Sequence, residues 1–322
     1  MPNALLIFNP VAGRYPSRLL TERAAAVLKK NGWEVEIETS EKGEDFTALS
    51  SQAARNNLDA VIVVGGDGSI NRAVAGLVGT ETALGVLPAG TANVWAQEFG
   101  LPGLSWTRWM ALEESARRLV ACRVARVDVG LCNASYFLLW AGVGLDAFVV
   151  HRIEPRRQWE KHFAVVQYAA TAVWKASVWH GINLRVKSGD HQLDGHYMLA
   201  VASNVSLYAG GLAKISPGAL LDDGIMDLWL FEGDNLEDTV KQAWDLWSGR
   251  HVRSDRVHCI PFKEVSLQSD SQIYIQIDGE PEVGGQQVTI RVVPKALKVL
   301  IPEGASLDLF YYGASEAVAD KK

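Results

Sequence analysis

The stretch Asp59-Ala-Val-Ile-Val-Val64 runs directly into Gly65-Gly66-Asp67-Gly68-Ser69, and a helical pattern takes over at once, across Ser69–Leu77. A short β-branched run bounded by turn residues reads as a buried strand. A strand that passes through glycines into a helix makes an anion site. Backbone N–H groups point outward, no side chain blocks the approach, and the helix dipole favours negative charge. Asp67 adds a carboxylate where a magnesium–phosphate complex would sit. A plain tight turn with Asp67 as helix N-cap accounts for the same five residues, so the neighbouring segments must decide.

The same rhythm recurs around this turn. Ala4–Phe8 reads as a strand, Pro16–Asn31 as a helix stopped by Gly32, Trp33–Glu38 as a strand and Glu44–Asn57 as a helix. Ala83–Leu87 follows as another strand, with helical segments continuing to about Val120. Strands and helices alternating at this spacing predict a parallel sheet covered on both faces, with its ligand site at the carboxyl ends of the strands. Two further loops then fall on the edge that carries Gly65. They are Asn9-Pro10-Val11-Ala12-Gly13 and Leu87-Pro88-Ala89-Gly90-Thr91-Ala92-Asn93. Three loops bearing Gly, Asn or Thr on one edge favour a phosphate site over three unrelated turns.

Beyond Arg123–Asp128 the pattern changes to short β-rich runs. They are Tyr136–Gly142, Ile182–Val186, His196–Ser203, Ile225–Phe231, Arg256–Ile260, Glu264–Gln268, Ile273–Ile277, Val288–Val293 and Leu297–Ile301. Turn residues separate them, which predicts an antiparallel sandwich or barrel. Helical insertions are expected at about Gln158–His180 and Leu236–Ser248, and Glu316–Lys322 reads as a frayed tail.

With 322 residues the chain has room for two domains. A net charge of −6 disfavours a nucleic-acid binder, which usually shows a basic face. The three cysteines form no Cys-x-x-Cys pair, which fits a reducing cytoplasm better than a disulfide framework or zinc knuckle. None of the seven histidines has a zinc spacing. The N-terminus shows no signal-peptide pattern. The apolar stretch Phe137–Leu145 is far short of a bilayer span, so membrane contact is expected to be peripheral.

Three acidic points carry candidate chemistry, and each has a structural reading beside it. Glu280 closes Ile277-Asp278-Gly279-Glu280 and is followed by Pro281, where Asp-Gly is also a hairpin signal. Asp128 lies inside an apolar strand, Arg126-Val-Asp-Val-Gly130, where a hinge held by hydrogen bonds would need it as much as an active site. Asp222-Asp223-Gly224 suits a hard cation or a β-turn with two solvated acids.

Taken together and in order, these motifs resemble the diacylglycerol kinase catalytic-domain family, which includes the sphingosine kinases and the bacterial soluble lipid kinases. The resemblance rests on Asn9-Pro-x-x-Gly13, Gly65-Gly-Asp-Gly-Ser-Ile-Asn71 and Pro88-x-Gly90-Thr-Ala-Asn93. It continues through Asp128-Val-Gly130, Ala141-Gly-Val-Gly144, Pro217-x-Ala-x-x-Asp-Asp-Gly224 and Ile277-Asp-Gly-Glu280. It implies an α/β N-terminal domain over 1–127 whose parallel sheet is like that of NAD kinase and phosphofructokinase, joined by 302–322. An antiparallel β-sandwich acceptor-substrate domain over 128–301 completes it.

The implied activity is ATP-dependent, magnesium-using phosphorylation of a lipid hydroxyl. By the same resemblance Asn9, Gly13, Gly65, Gly66, Asp67, Gly68, Ser69, Ile70, Asn71, Thr91 and Asn93 hold the nucleotide. Thr39 matches through a looser motif. Glu280 is the implied proton acceptor, with Asp67 and Asp128 beside it in the catalytic set. Asp223, with backbone oxygens at Leu220 and Ile225, is the implied magnesium site. The implied setting is cytoplasmic and peripheral at a membrane surface, with a lipid as partner. Nucleic acid is not implied, and a homodimer is left open.

Two departures stand out. Arg72 occupies a position where the family usually has an acid, and Val94 one where it often has an aspartate. Arg72 keeps open a weakly catalytic lipid-binding or regulatory homologue, and Gly-Gly-Asp-Gly keeps open an NAD-kinase-like activity on a soluble nucleotide. Arg156-Arg-Gln-Trp-Glu-Lys161 leads into Phe163, Val166, Ala170, Val173, Trp174 and Ser177 at helical spacing. That helix suits a lipid headgroup layer or a sandwich-packed face with Trp159, Trp174 and Trp179 in its core. Tyr208-Ala-Gly-Gly-Leu212 reads as either an acceptor-cleft lining or an ordinary glycine turn.

Overall fold

The computed structural model describes residues 1–10, 17–40, 45–105, 107–153 and 179–311. Gly13, the stretch 156–178 and the tail 316–322 lie outside the described residues. The chain divides into two compact units, Met1–Val129 with Leu220–Gly224 and Val293–Lys322, and Gly130–Ala219 with Ile225–Val292.

The first unit alternates as its apolar runs require. Its elements are β1 (Asn3–Phe8), α1 (Ser17–Lys30), β2 (Glu34–Thr39), α2 (Asp45–Arg55), β3 (Ala60–Gly65), α3 (Asp67–Leu77), β4 (Ala83–Pro88), α4 (Val94–Glu98) and α5 (Ala111–Val120). The strands lie parallel in the order β4-β3-β1-β2. β1, β3 and β4 are almost wholly buried, which is why they read as continuous apolar runs rather than alternating ones. Leu6, Phe8, Leu28, Ile62 and Leu119 are among the residues of one core beneath the sheet.

Unit two is antiparallel. Its elements begin with the end of β5 (Arg123–Cys132), then β6 (Ser135–Phe137), β7 (Trp140–Gly144), α6 (Leu145–Ile153), β8 (Ile182–Ser188), β9 (His191–Ser203), β10 (Leu207–Tyr208) and β11 (Ala213–Lys214). They continue with β12 (Met226–Glu232), α7 (Leu236–Trp247), β13 (Val257–Phe262), β14 (Glu264–Gln268), β15 (Tyr274–Ile277), β16 (Glu280–Val283) and the start of β17 (Gln287–Ile301). The long strand β9 pairs with β8 through His191–Tyr197, and with β7 and β12 through Leu199–Ser203. It thereby links the two layers of a sandwich whose core includes Phe137, Leu184, Leu228, Ile275 and Ile290.

The end of β17 belongs to the first unit, where Val299 pairs parallel with Leu84 of β4. The expected helix at Leu236–Ser248 is present as α7, capped by the Asn235 side chain on Asp238 N. Trp179 packs on Phe148 at 4.9 Å between ring centroids, and its Nε1 donates to Met198 O. Trp159 and Trp174 are outside the described residues.

One expected strand is broken. Tyr136–Gly142 reads as continuous, yet β6 ends at Phe137 and β7 starts at Trp140. The cause is the Asp278 carboxylate, which accepts from Leu138 N at 2.9 Å and from Leu139 N and Trp140 N at 3.0 Å each. Three successive N–H groups turned onto one carboxylate cannot also serve a strand ladder.

Candidate active site

Parallel register sets the edge of the first unit. Phe8 lies level with Thr39 and with Val64, and Gly65 lies level with Pro88. The residues that leave these strand ends are Asn9, Thr39, Gly65–Asn71 and the Gly90–Asn93 loop. They fall on one edge, as the alternation predicts. Ser40 N donates to Phe8 O at 2.8 Å and Ala89 N to Gly65 O at 3.0 Å, so pairing continues past the ends of the strands.

Gly66 and Gly90 meet backbone to backbone. A Cβ on Gly90 would lie 2.4 Å from Gly66 Cα and 2.8 Å from Asn93 Oδ1. Only glycine lets the two loops close this far. Asn93, at a left-handed φ of 57°, locks the second loop: its Oδ1 accepts from Gly90 N at 2.7 Å and its Nδ2 donates to Gly90 O at 2.9 Å. Gly90→Ala must therefore push the loops apart, at a cost of about 1–3 kcal/mol for overpacking. A lowered urea midpoint is the expected outcome.

Asp67 opens α3, whose N-cap Gly66 supplies no side-chain cap to the helix. The carboxylate caps a different helix. It accepts from Val94 N at 3.0 Å and Trp95 N at 3.2 Å, at the start of α4. Burial pushes its carboxyl above the usual aspartate value, and those backbone N–H groups pull it back. One turn along α3, Asn71 Oδ1 is buried with no hydrogen-bond partner within the described residues. A buried acceptor without a donor is what a ligand site leaves behind when the chain alone is considered. Arg72 follows on α3, half-buried, with its backbone oxygen accepting from Thr47 Oγ1.

Thr91 is exposed and Asn93 buried, and a cavity of about 410 Å³ opens beside them, walled also by Gln97, Pro102 and Arg108. A larger cavity, about 690 Å³, lies on the second unit against β8, β9 and β14 and contains none of the candidate residues.

Asp128 is fully buried. Its two oxygens accept from Gly224 N at 2.6 Å and Lys295 N at 2.7 Å, and its own N–H donates to Leu221 O at 2.7 Å. It therefore ties together three segments of the first unit that are far apart in the chain. Burial raises its carboxyl above the ordinary value, and the charges of Asp223 and Asp222 push the same way. Asp222 Oδ1 accepts from Tyr311 N, and Asp223 is half-buried beside it. Among the described residues no three His, Cys, Asp or Glu side chains gather into a metal-ligand set. A divalent ion here would rest on one carboxylate and backbone oxygens, the sparse protein contribution that magnesium accepts.

Glu280 lies on the second unit. Asp278 and Gly279 form a two-residue hairpin loop with φ of 48° and 85°, and Ile277 pairs with Glu280. Glu280 is exposed on that hairpin, whereas Asp278 is buried. Asp278 also donates its N–H to Trp140 O at 3.0 Å. Three side chains nearby form a group of their own: Asp146 Oδ2 accepts from Tyr208 Oη and Gln276 Nε2, each at 2.9 Å. Sequence reading passed over Asp146 and Gln276. The one available signal was a glutamine amid the apolar alternation of β15.

The comparisons with known proteins agree with this layout. The model of the diacylglycerol kinase catalytic domain matches residues 3–132, and that of the YegS C-terminal NAD kinase beta sandwich-like domain matches residues 140–301, half of the chain. The chain belongs to the diacylglycerol kinase family.

Family relatives include a Mycobacterium tuberculosis protein described as diacylglycerol kinase, 29% identical over 300 residues, covering 91% of this chain and 93% of the relative. A Bacillus subtilis protein of the same description is 26% identical over 286 residues, covering 87% and 90%. A Chromohalobacter salexigens protein described as "Probable lipid kinase YegS-like" is 26% identical over 307 residues, covering 94% of this chain and 94% of the relative. A crystal structure of a diacylglycerol kinase from Bacillus anthracis shares the fold with a TM-score of 0.70 at 18% identity, covering 94% of this chain and 98% of that one. No helix among the described residues is long and apolar enough to cross a membrane.

Proposed function

We propose that this family member transfers the γ-phosphoryl group of ATP to the hydroxyl of a lipid, a diacylglycerol, sphingoid or related lipid. The observation that carries the donor half is the backbone contact of Gly66 with Gly90, a cradle that a single Cβ would fill. Gly65–Asn71 and Thr91 hold the nucleotide phosphates, with Asn9, Thr39 and Asn93 around them. The uncapped start of α3 faces its positive end to the phosphates.

Phosphoryl transfer asks the protein for position, charge neutralisation and a place for one proton. The lipid oxygen bonds to phosphorus as the bond to the β-phosphate oxygen breaks, and Glu280 takes the hydroxyl proton. An exposed carboxylate on a rigid hairpin is suited to that role. Asp67 and Asp128 belong to the same catalytic set. Asp223, with backbone oxygens of Leu220 and Ile225, would hold magnesium, whose chemistry is to neutralise phosphate charge. The protein works in the cytoplasm, peripheral at the membrane surface where its acceptor resides.

The test incubates the chain with labelled ATP and magnesium against a panel of lipid and nucleotide acceptors. Label is expected in a phospholipid product. Label only in NADP would sink the lipid reading in favour of a nucleotide kinase, and label in no acceptor would favour a binding role, the outcome Arg72 keeps open. Asp67→Ala in the same assay is expected to abolish transfer. It also strands two backbone N–H groups, lowering unfolding free energy by about 2 kcal/mol or more in urea titrations.

A further inference from the structure

We infer that Gln276 is a positioning residue for Glu280, and that Asp146 fixes the direction of its amide. The inference rests on the reading of Glu280 as proton acceptor.

The hairpin Ile277–Glu280 has both central residues at positive φ, the geometry of a type I′ turn. Pairing of the outer residues leaves the N–H of the second central residue unused by the ladder. Here that N–H, on Gly279, donates to Gln276 Oε1 at 2.8 Å. The other end of the amide, Nε2, donates to Asp146 Oδ2 at 2.9 Å. A backbone N–H can only donate, so the oxygen of the amide must face Gly279 and the nitrogen must face the carboxylate.

Asp146 is itself held from two further sides, by Tyr208 Oη at 2.9 Å and by Ala147 N at 2.6 Å. The space is tight: a Cβ on Gly142 would lie 2.0 Å from Asp146 Oδ2 and 2.5 Å from Gln276 Nε2. Gln276 is only 2% exposed, so water does not replace these bonds. A continuous relay therefore runs from α6 through the Gln276 side chain to the backbone of the turn.

The turn is pinned on its other side by Asp278, through Leu138, Leu139 and Trp140. Both N–H groups of the loop are thus committed, Asp278's to Trp140 O and Gly279's to Gln276. Glu280 follows Gly279 directly and pairs with Ile277 across the turn, so its backbone position is set by the turn. Misplacing a reacting group by about 1 Å costs on the order of 10²-fold in rate. A glutamine that only stabilised the fold would change the unfolding midpoint without selectively changing kcat.

The experiment measures transfer from ATP to diacylglycerol in mixed micelles by the full chain, with urea midpoints alongside. The variants are Glu280→Ala, Gln276→Leu, Gln276→Glu and the double variant Q276E/D146N. Gln276→Leu is expected to lower kcat about 10- to 100-fold with KM for ATP unchanged. Gln276→Glu keeps an acceptor for Gly279 but sets two carboxylates against each other, so kcat falls as well. In Q276E/D146N the introduced amide donates to the introduced carboxylate, the relay closes with its polarity exchanged, and most of the lost kcat returns. Wild-type kcat in both single Gln276 variants, or no recovery in the double variant, overturns the relay while Glu280 stands. An inactive wild-type chain, or an active Glu280→Ala, overturns the proton-acceptor reading and the relay with it.

Discussion

Glu280→Gln, which removes the proposed proton acceptor, is expected to lower kcat by about 10²- to 10⁴-fold, the range that a general base contributes. KM for ATP should stay within about twofold of wild type, because the proposed nucleotide residues, Gly65–Asn71 and Thr91, are unchanged by this substitution. Stability should stay within about 0.5 kcal/mol, as for most exposed positions. The combination is diagnostic: single-turnover transfer collapses while the urea midpoint and ATP titration stay put. A variant retaining a tenth or more of wild-type kcat would assign the proton to another group or to water.

Two residues earlier the expectation reverses. Asp278→Ala should be chiefly a stability variant. It strands the N–H groups of Leu138, Leu139 and Trp140 in a buried setting. At about 1–3 kcal/mol for each unsatisfied group, a loss of about 3 kcal/mol or more follows. Alanine at a φ of 48° adds about 1 kcal/mol of backbone strain. Asp278→Asn, which tolerates that φ and keeps one acceptor oxygen, should fall between. Urea denaturation followed by tryptophan fluorescence checks both, and a loss below about 1 kcal/mol for alanine would contradict the account. Because the same carboxylate braces the Glu280 turn, kcat should fall in both variants even where they are fully folded.

Much of the architecture was legible because it is written in local pattern. Ala4–Phe8, Asp59–Val64 and Ala83–Leu87 are apolar throughout, and only a strand covered on both faces is so. Gly65 and Gly66 could be read as a phosphate turn because a helix pattern follows without a linker. What the pattern omits is who meets whom. Gly66 and Gly90 are each ordinary turn glycines until tertiary structure places them in contact. Asp67 had, beside its phosphate-site reading, a reading as cap for its own helix, and the structure shows it capping the next one. The break at Leu138-Leu139 had no local mark, since hydrophobicity is unbroken there and the carboxylate that causes it comes from residue 278. Asp128 was expected either as a hydrogen-bonded hinge residue or in a metal network, and no local pattern showed that its partners would be Gly224 and Lys295 of the same unit. Its place in the catalytic set remains part of the proposal.

The closing segment of the first unit has a consequence for how the protein is made. Val299 completes the sheet beside Leu84, Lys295 N satisfies Asp128, Glu303 O accepts from Arg118 Nε, and Leu309 O accepts from Leu221 N. Each of these contacts spans a long stretch of chain, and their loop-closure cost is met only late. On the ribosome, the unit whose first strand emerges earliest cannot close its sheet until residues 293–309 have left the exit tunnel. The sandwich residues are translated in the interval, with the apolar edge of β4 still waiting for its neighbour. Vectorial synthesis thus makes the first unit the later of the two to close its sheet, with apolar surface exposed to chaperones and proteases until it does.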